Sequence, residues 1–176
     1  MKIWCFIWLA LVNKILTWDN LQKRGSIGPG ICALCGLGED SVQHLFYSCY
    51  VWKSVFECLS EQYHLQPLYK SDNLISFLGT WIVRYSRHSE CCYLPFLVIC
   101  VIWKERNHCI FEGKNPSTLG IFHQIDYYFQ LHPASSLKIK NPRICGLDPT
   151  LVFPYRFFDG EGANYKGRVG FCLVLN

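Results

Sequence analysis

The sequence predicts a mainly α-helical fold, followed by a linker and an incomplete β-hairpin. Apolar residues recur at helical spacing as far as Phe129. Helix caps and glycine stops fall between these stretches, and a proline-rich segment separates them from two short patterns of strand type. Hydrophobic residues make up 51% of the 176 positions and charged residues 17%, which excludes a disordered chain. The net charge of +4 is scattered, so charge alone does not predict a nucleic-acid footprint.

Two helices are predicted before residue 26. Residues 2–13 are expected to form a mostly buried helix. A second helix begins after Thr17, which is a suitable cap, and carries Asp19 in its first turn, where a negative charge is favourable. Gly25 follows Lys23 and Arg24 and ends it.

The apolar run from Ile3 to Val12 follows Lys2, which is also typical of a secretory signal peptide. No small-x-small cleavage site follows, so a core helix is the preferred interpretation. The run is shorter than the ~20 residues that a bilayer requires, and no membrane association is expected. We therefore expect an intracellular protein, nuclear or cytoplasmic. The alternative is a secreted one, if residues 1–12 act as a signal peptide.

Five further helices are predicted up to residue 132. Each has a recognisable start or stop in the sequence. They are a helix capped by Ser41, a helix over residues 50–63, one that follows Asp72 or Asn73, one over 94–111 stopped by Gly113, and one that starts at Ser117 or Thr118.

The last part of the chain has a different composition. Four prolines fall between residues 133 and 154, which predicts a linker without a packed core. Residues 155–159 and 169–175 have strand character and flank a glycine-rich turn. Two strands alone are marginally stable in water. The hairpin is therefore expected to be the start of a domain that this chain lacks.

Three cysteines and one histidine form a metal-binding pattern, Cys32-x2-Cys35-x8-His44-x4-Cys49. Cys3His is a common ligand set for tetrahedral zinc. A tight turn between Cys32 and Cys35 can direct both thiolates inward while backbone N–H groups donate to sulfur. His44 and Cys49 are five residues apart, about 140° around an ideal helix. The helix must therefore bend or end between them if both bind the ion.

Four protein ligands leave no position for water or substrate, so the sequence predicts one structural Zn²⁺ and no other cofactor. The alternative is three buried free thiols and an ordinary core histidine. A thioredoxin-like pair is disfavoured because no βαβ pattern surrounds Cys32. A second metal site at His88, Cys91 and Cys92 is disfavoured because adjacent cysteines chelate poorly.

The remaining cysteines indicate the compartment. The chain has 11 cysteines, an odd number that cannot pair completely within it. Buried free thiols are expected where the neighbours are apolar, which favours a reducing compartment. These positions are Cys5, Cys58, Cys100, Cys109 and Cys172.

Three segments carry a resemblance to a known family: residues 14–25, the Cys32-Ala33-Leu34-Cys35 turn, and His44 to Cys49. They resemble the reverse-transcriptase zinc-binding domain of non-LTR (LINE-type) retrotransposons, which are abundant in plants. Residues 102–107 are similar to the helix that follows the zinc module there. The resemblance implies that Cys32, Cys35, His44 and Cys49 are the zinc ligands. We expect a zinc-binding helical module over residues 1–66 and a helical continuation over 67–132.

The tail has its own resemblance, carried by residues 157–160 and 164–170. It is similar to the first hairpin of a ribonuclease H-like domain, in which the aspartate at the Asp159 position is one of several carboxylates that hold two divalent metals. Here the other acids would lie beyond Asn176. We therefore expect a linker over 133–154, a truncated ribonuclease H-like hairpin over 155–176, and no catalysis by Asp159.

Three functions are considered. The first is a zinc-binding module of a retrotransposon-derived polyprotein, non-enzymatic and without a small-molecule substrate, with RNA or DNA as a weakly indicated partner. The second is a ribonuclease H-like nuclease fragment, inactive as it stands, and the third a small secreted cysteine-rich protein. For the first, the candidate phosphate contacts are Lys14, Lys23, Arg24, Lys104 and Arg106, with Trp18 for base stacking; the alternative is solvated charges beside core aromatics.

Overall fold

The computed structural model describes residues 2–66, 71–85 and 89–131, and the regular elements in these ranges are helical. The prediction of a mainly α-helical fold is confirmed for this part of the chain. The predicted linker over 133–154, the hairpin over 155–176, Asp159 and Cys172 lie outside the described residues. The elements are α1 (Lys2–Leu11), α2 (Trp18–Gln22), a π-helical turn (His44–Ser48), α3 (Tyr50–Gln62), α4 (Leu74–Tyr85), α5 (Ser89–Cys92), α6 (Leu94–Glu112) and α7 (Thr118–Leu131).

Helix α6 forms the centre of the core. Its residues from Leu94 to Trp103 are all buried, because α1, α5, α7 and the π-helical turn pack around it. A helix that is apolar on every side requires such an environment. Helix α3 packs against α7 and the π-helical turn, and α4 packs against α5. Each fully buried leucine or phenylalanine contributes about 1.5–3 kcal/mol relative to exposure.

Helix α1 buries one face against α6. Phe6, Ile7 and Ala10 are buried, and the Phe6 ring lies 5.8 Å from that of Trp103. The opposite face is exposed, and Trp8 retains 61% of its accessible surface. The expectation of a mostly buried helix is therefore right for one face only. In the described ranges no helix combines the length and the apolar character needed to cross a bilayer.

The predicted caps are confirmed at three helix starts and one helix end. In each start a hydroxyl or amide oxygen accepts a hydrogen bond from the backbone N–H three residues later, which satisfies an otherwise unpaired donor. The pairs are Ser41 Oγ with His44 N at 3.2 Å, Asn73 Oδ1 with Ser76 N at 2.9 Å, and Ser117 Oγ with Gly120 N at 3.0 Å. Gly113 ends α6 in the left-handed region at φ 65°.

The cap of α2 differs from the prediction. The hydroxyl of Thr17 donates to Asp19 Oδ1 at 2.5 Å instead of accepting a bond from the backbone. The N–H of Trp18 donates to Asp40 Oδ2 at 2.9 Å, so the carboxylate of Asp40 supplies the cap. A negative charge at this end of the helix is favourable, and here it comes from a residue 22 positions away.

The prediction of buried free thiols is correct for Cys100 alone among the described candidates. Cys100 lies inside α6, while Cys109 is only partly buried. Cys5 and Cys58 are exposed, so their burial was predicted wrongly. Both lie on helices that have apolar residues on more than one face. Helical spacing alone therefore does not indicate which face packs against the core.

Candidate metal centre

The first two candidate ligands lie in a short loop held as a hairpin. The Cys32 N–H donates to Gly38 O at 2.7 Å, and the Asp40 N–H donates to Gly30 O at 2.9 Å. The Gly36 N–H then donates to Cys32 O at 2.8 Å and closes the turn that carries Cys35. Gly36 has a φ of 67°, a left-handed conformation in which glycine carries no steric penalty. This tight turn brings the two sulfur atoms together.

The other two candidate ligands flank the π-helical turn. The Cys49 N–H donates to His44 O at 2.7 Å, which is an i→i+5 hydrogen bond. The wider winding places residue i+5 nearly above residue i, whereas an α-helix would separate them by about 140°. The helix then ends at Cys49, which has an extended ψ of 135°. Both predicted features are therefore present. The helix widens into a π-helical turn after His44, and it ends at Cys49.

The four side chains converge. One ligand atom from each of Cys32, Cys35, His44 and Cys49 lies within 4.8 Å of the others. Cys35 Sγ and His44 Nε2 are 3.1 Å apart. A tetrahedral zinc ion with Zn–S bonds of about 2.3 Å requires ligand separations of about 3.8 Å. The arrangement fits one zinc ion held by three thiolates and one imidazole.

Backbone donors offset the charge of this set. Three thiolates and Zn²⁺ carry a net charge of about −1. The N–H groups of Leu34 and Cys35 donate to the sulfur of Cys32. The N–H groups of Val51 and Trp52 donate to the sulfur of Cys49. Each of these bonds stabilises the thiolate and acts to lower the pKa of the cysteine that accepts it. Cys49 directly precedes α3, so its sulfur also lies at the positive end of that helix.

The imidazole of His44 is kept neutral by its surroundings. Burial lowers its pKa below the ordinary 6.5, and this outweighs the raising effect of the nearby Asp40 and Glu39 carboxylates. A neutral imidazole is the form that binds a metal. The ring also lies directly against the backbone of Gly38, on the hairpin that carries the first two cysteines.

A buried ion pair connects this hairpin to α6. Arg106 Nη2 lies 2.5 Å from Asp40 Oδ2, and both side chains are almost wholly inaccessible to solvent. The guanidinium also lies over the Trp103 ring, 4.9 Å from its centroid. Arg106 is therefore neither a phosphate contact nor a solvated charge, and both interpretations of this residue are wrong. The pair joins positions 66 residues apart, which no local pattern could indicate.

The other basic residues predicted as phosphate contacts are more exposed to solvent than Arg106. Lys14, Lys23 and Arg24 are exposed, and Lys23 pairs with Asp19 at 3.2 Å. Lys104 is partly buried. The ring of Trp18 lies against Gly28, so close that a Cβ atom at residue 28 would approach it to 2.0 Å. One side of this ring is thus covered by the chain itself.

The alternative second metal site receives no support. His88 lies outside the described residues. Among the residues that the structure does describe, Cys91 and Cys92 join no group of three or more potential metal ligands. Cys32, Cys35, His44 and Cys49 form such a group.

The four candidate zinc ligands lie in a segment that is similar to a known protein family. Residues 1–56 match a protein family described as zinc-binding in reverse transcriptase. The matched segment contains all four side chains of the centre and ends within α3. No curated protein and no solved structure matches the chain. The similarity to a zinc-binding family, together with a cluster suited to one zinc ion, confirms the predicted cofactor.

Substitution of Gly38 by alanine is expected to weaken zinc binding. The new Cβ atom would lie 2.1 Å from His44 Cε1 and 2.4 Å from Nδ1, so the imidazole must move. Displacing the support of a ligand typically costs 10–100-fold in metal affinity, and we expect about that loss here. Competition with a chromophoric chelator measures it. Gly79→Ala is the control, because a Cβ there meets open space; equal affinities for the two variants would contradict the prediction.

Zinc affinity is expected to rise with pH between 6 and 8. The Cys32 thiol donates to Cys49, and this bond together with burial raises the pKa of Cys32 well above its ordinary 9.0 while lowering that of Cys49. Zinc must displace the proton of this thiol before its sulfur can bind as a thiolate. Each proton released makes the affinity fall roughly tenfold per unit decrease in pH. Chelator competition at three pH values measures the slope, and a pH-independent affinity would contradict coordination by thiolates.

Proposed function

We propose that this chain carries the zinc-binding module of a retrotransposon-derived reverse transcriptase polyprotein, of the LINE type found in plants. The observation that carries the proposal is the convergence of Cys32, Cys35, His44 and Cys49 inside the segment similar to the zinc-binding family. The resemblance of residues 14–25 and 102–107 supports the retrotransposon origin. In this proposal the ion is structural, and it joins the loop hairpin to the start of α3.

A structural role follows from ligand number. Catalytic zinc retains an open coordination position, whereas four protein ligands close the tetrahedron. Replacement of zinc by Co²⁺ provides a test, because the visible bands of cobalt report its coordination. We expect a tetrahedral spectrum with thiolate charge transfer that does not change when cyanide or azide is added. A spectrum that shifts on addition of these small ligands would indicate an open position and contradict a purely structural role.

We propose nucleic acid as the partner, bound mainly through charge. Lys14, Lys23 and Arg24 are exposed and lie on or beside α2. With Arg106 buried and one side of the Trp18 ring covered, these three cations are the better candidates for phosphate contacts. The zinc centre itself carries a net negative charge of about −1 and is a poor phosphate contact.

A gel-shift titration at several salt concentrations tests the partner. The triple variant Lys14→Gln, Lys23→Gln, Arg24→Gln should reduce the salt slope on single-stranded nucleic acid by roughly two. A control variant with Arg84→Gln and Lys114→Gln, two exposed cations elsewhere, should retain the slope. Absence of any shift at low salt would refute nucleic-acid binding without affecting the zinc assignment.

We propose that the chain is not an enzyme and that it is intracellular. The four protein ligands of the zinc centre leave no coordination position for water or substrate, which supports the first statement. Mg²⁺-dependent cleavage of an RNA–DNA hybrid that is lost in Asp159→Asn would contradict the first statement. The packing of α1 in the core supports the second, because a cleaved signal peptide would not contribute to the folded core. It disfavours the alternative of a secreted cysteine-rich protein.

A further inference from the structure

The three sulfur ligands of the metal centre differ in their access to solvent. Cys32 and Cys49 are completely buried, whereas Cys35 is only partly covered. Cys35 lies in the turn that ends at the exposed residues Gly36 and Leu37. A reagent that approaches from solvent therefore reaches Cys35 more readily than the two buried cysteines.

We propose that Cys35 is the oxidation-sensitive sulfur of the centre, and that its reaction with a peroxide opens the site and releases the metal. The proposal rests on the zinc centre described above, and it adds a redox response to the structural role. Thiolates are the reactive form of cysteine, and reactivity toward oxidants follows thiolate character and exposure. Cys35 combines the two, since zinc binding requires its thiolate and the loop leaves it accessible.

The chemistry proceeds in two steps. The Cys35 thiolate attacks one oxygen of hydrogen peroxide, so an S–O bond forms, the O–O bond breaks and hydroxide leaves. The resulting sulfenic acid is a much poorer metal ligand than the thiolate. A second thiolate then attacks the Cys35 sulfur, forming a disulfide and displacing a second hydroxide. Two thiolates lose two electrons in total, and one peroxide gains them.

Cys32 is the expected second thiolate. It lies on the same turn as Cys35, closed by the hydrogen bond from Gly36 N to Cys32 O at 2.8 Å, and its sulfur is within 4.8 Å of that of Cys35. A bond between them requires movement of this turn alone. Cys49 begins α3 in the buried core, so its sulfur is held by a longer element. After the Cys32–Cys35 bond forms, His44 and Cys49 remain as ligands, and two ligands are insufficient to retain the ion.

The experiment treats the zinc-loaded full chain with hydrogen peroxide. A chromophoric chelator follows the released zinc, and a sulfenic-acid trap followed by peptide mass spectrometry identifies the first modified cysteine. We expect first modification at Cys35, then a Cys32–Cys35 disulfide, with zinc released in step and recovered after a thiol reductant is added. First modification at Cys32 or Cys49, or release before any cysteine is oxidised, would overturn the proposal.

The variant Cys35→His separates this proposal from the zinc assignment. It converts the ligand set to Cys2His2, which still suits zinc but lacks the partly accessible thiolate. We expect it to release zinc at least about tenfold more slowly under peroxide. Cys58→Ser, which removes an exposed thiol outside the centre, should release zinc at the original rate. If Cys35→His does not retain zinc, the order of modification in the unaltered chain decides; a chain that never binds zinc refutes the zinc assignment itself.

Discussion

Removal of zinc is expected to unfold the loop hairpin and the π-helical turn while the helices around α6 remain folded. The hairpin over residues 30–40 has few backbone hydrogen bonds, and the ion connects it to the start of α3. Structural zinc sites in small modules contribute apparent binding free energies of about 10–16 kcal/mol, so loss of the ion exceeds what such a short hairpin can supply. Helices α6 and α7 pack against each other and α4 packs against α5, and none of these helices carries a zinc ligand.

Amide hydrogen exchange with and without a strong chelator measures this effect. The N–H groups of Cys32 and Asp40, which bond to Gly38 and Gly30, should lose most of their protection. The amides in the middle of α6 provide the internal control and should retain theirs. Unchanged protection at Cys32 and Asp40 after complete zinc removal would show that the hairpin is held by its own contacts, contrary to this account.

Substitution of Arg106 by leucine is expected to destabilise the protein by about 3–5 kcal/mol. The change removes one partner of a buried ion pair and leaves the carboxylate of Asp40 without its positive counterpart in a site that water does not reach. Asp40 also caps α2 and lies at the end of the zinc hairpin, so the substitution disturbs the site where the hairpin, α2 and α6 meet. Denaturant unfolding gives the change in free energy of unfolding.

Two further variants test the cause of that loss. Adding Asp40→Asn to Arg106→Leu removes the buried charge but retains an oxygen that can accept from Trp18 N, so about 2 kcal/mol should be recovered. Lys114→Leu removes a cation whose partner, Glu112, lies at the surface, and should cost less than about 1 kcal/mol. If the double variant is no more stable than Arg106→Leu alone, the pair is not the unit that the structure indicates.

Local rules were sufficient for most of the helices. Ser41, Asn73 and Ser117 accept backbone hydrogen bonds where their sequence context predicts caps, because a cap depends only on the next three residues. The metal centre was also predictable, since ligand type and spacing carry the chemistry of the ion. The need for a bend or an end between His44 and Cys49 followed from helix geometry alone.

Features that depend on distant residues were not predictable. The cap of α2 comes from Asp40 and the partner of Asp40 comes from Arg106, and neither pairing leaves a trace in sequence spacing. The orientation of α1 was ambiguous because apolar residues occupy all of its sides, so the exposure of Trp8 could not be inferred. The short helix α5 was missed because four residues are too few to show a helical period.

The zinc content of the purified native protein, measured by inductively coupled plasma mass spectrometry, tests the central claim most directly. We expect about one zinc per chain in the unaltered protein and in Cys58→Ser, and far less than one in Cys35→Ser after dialysis, because serine is a poor zinc ligand. A stably folded chain that is purified without zinc, or a Cys35→Ser variant that retains the full amount, would contradict a zinc centre formed by Cys32, Cys35, His44 and Cys49.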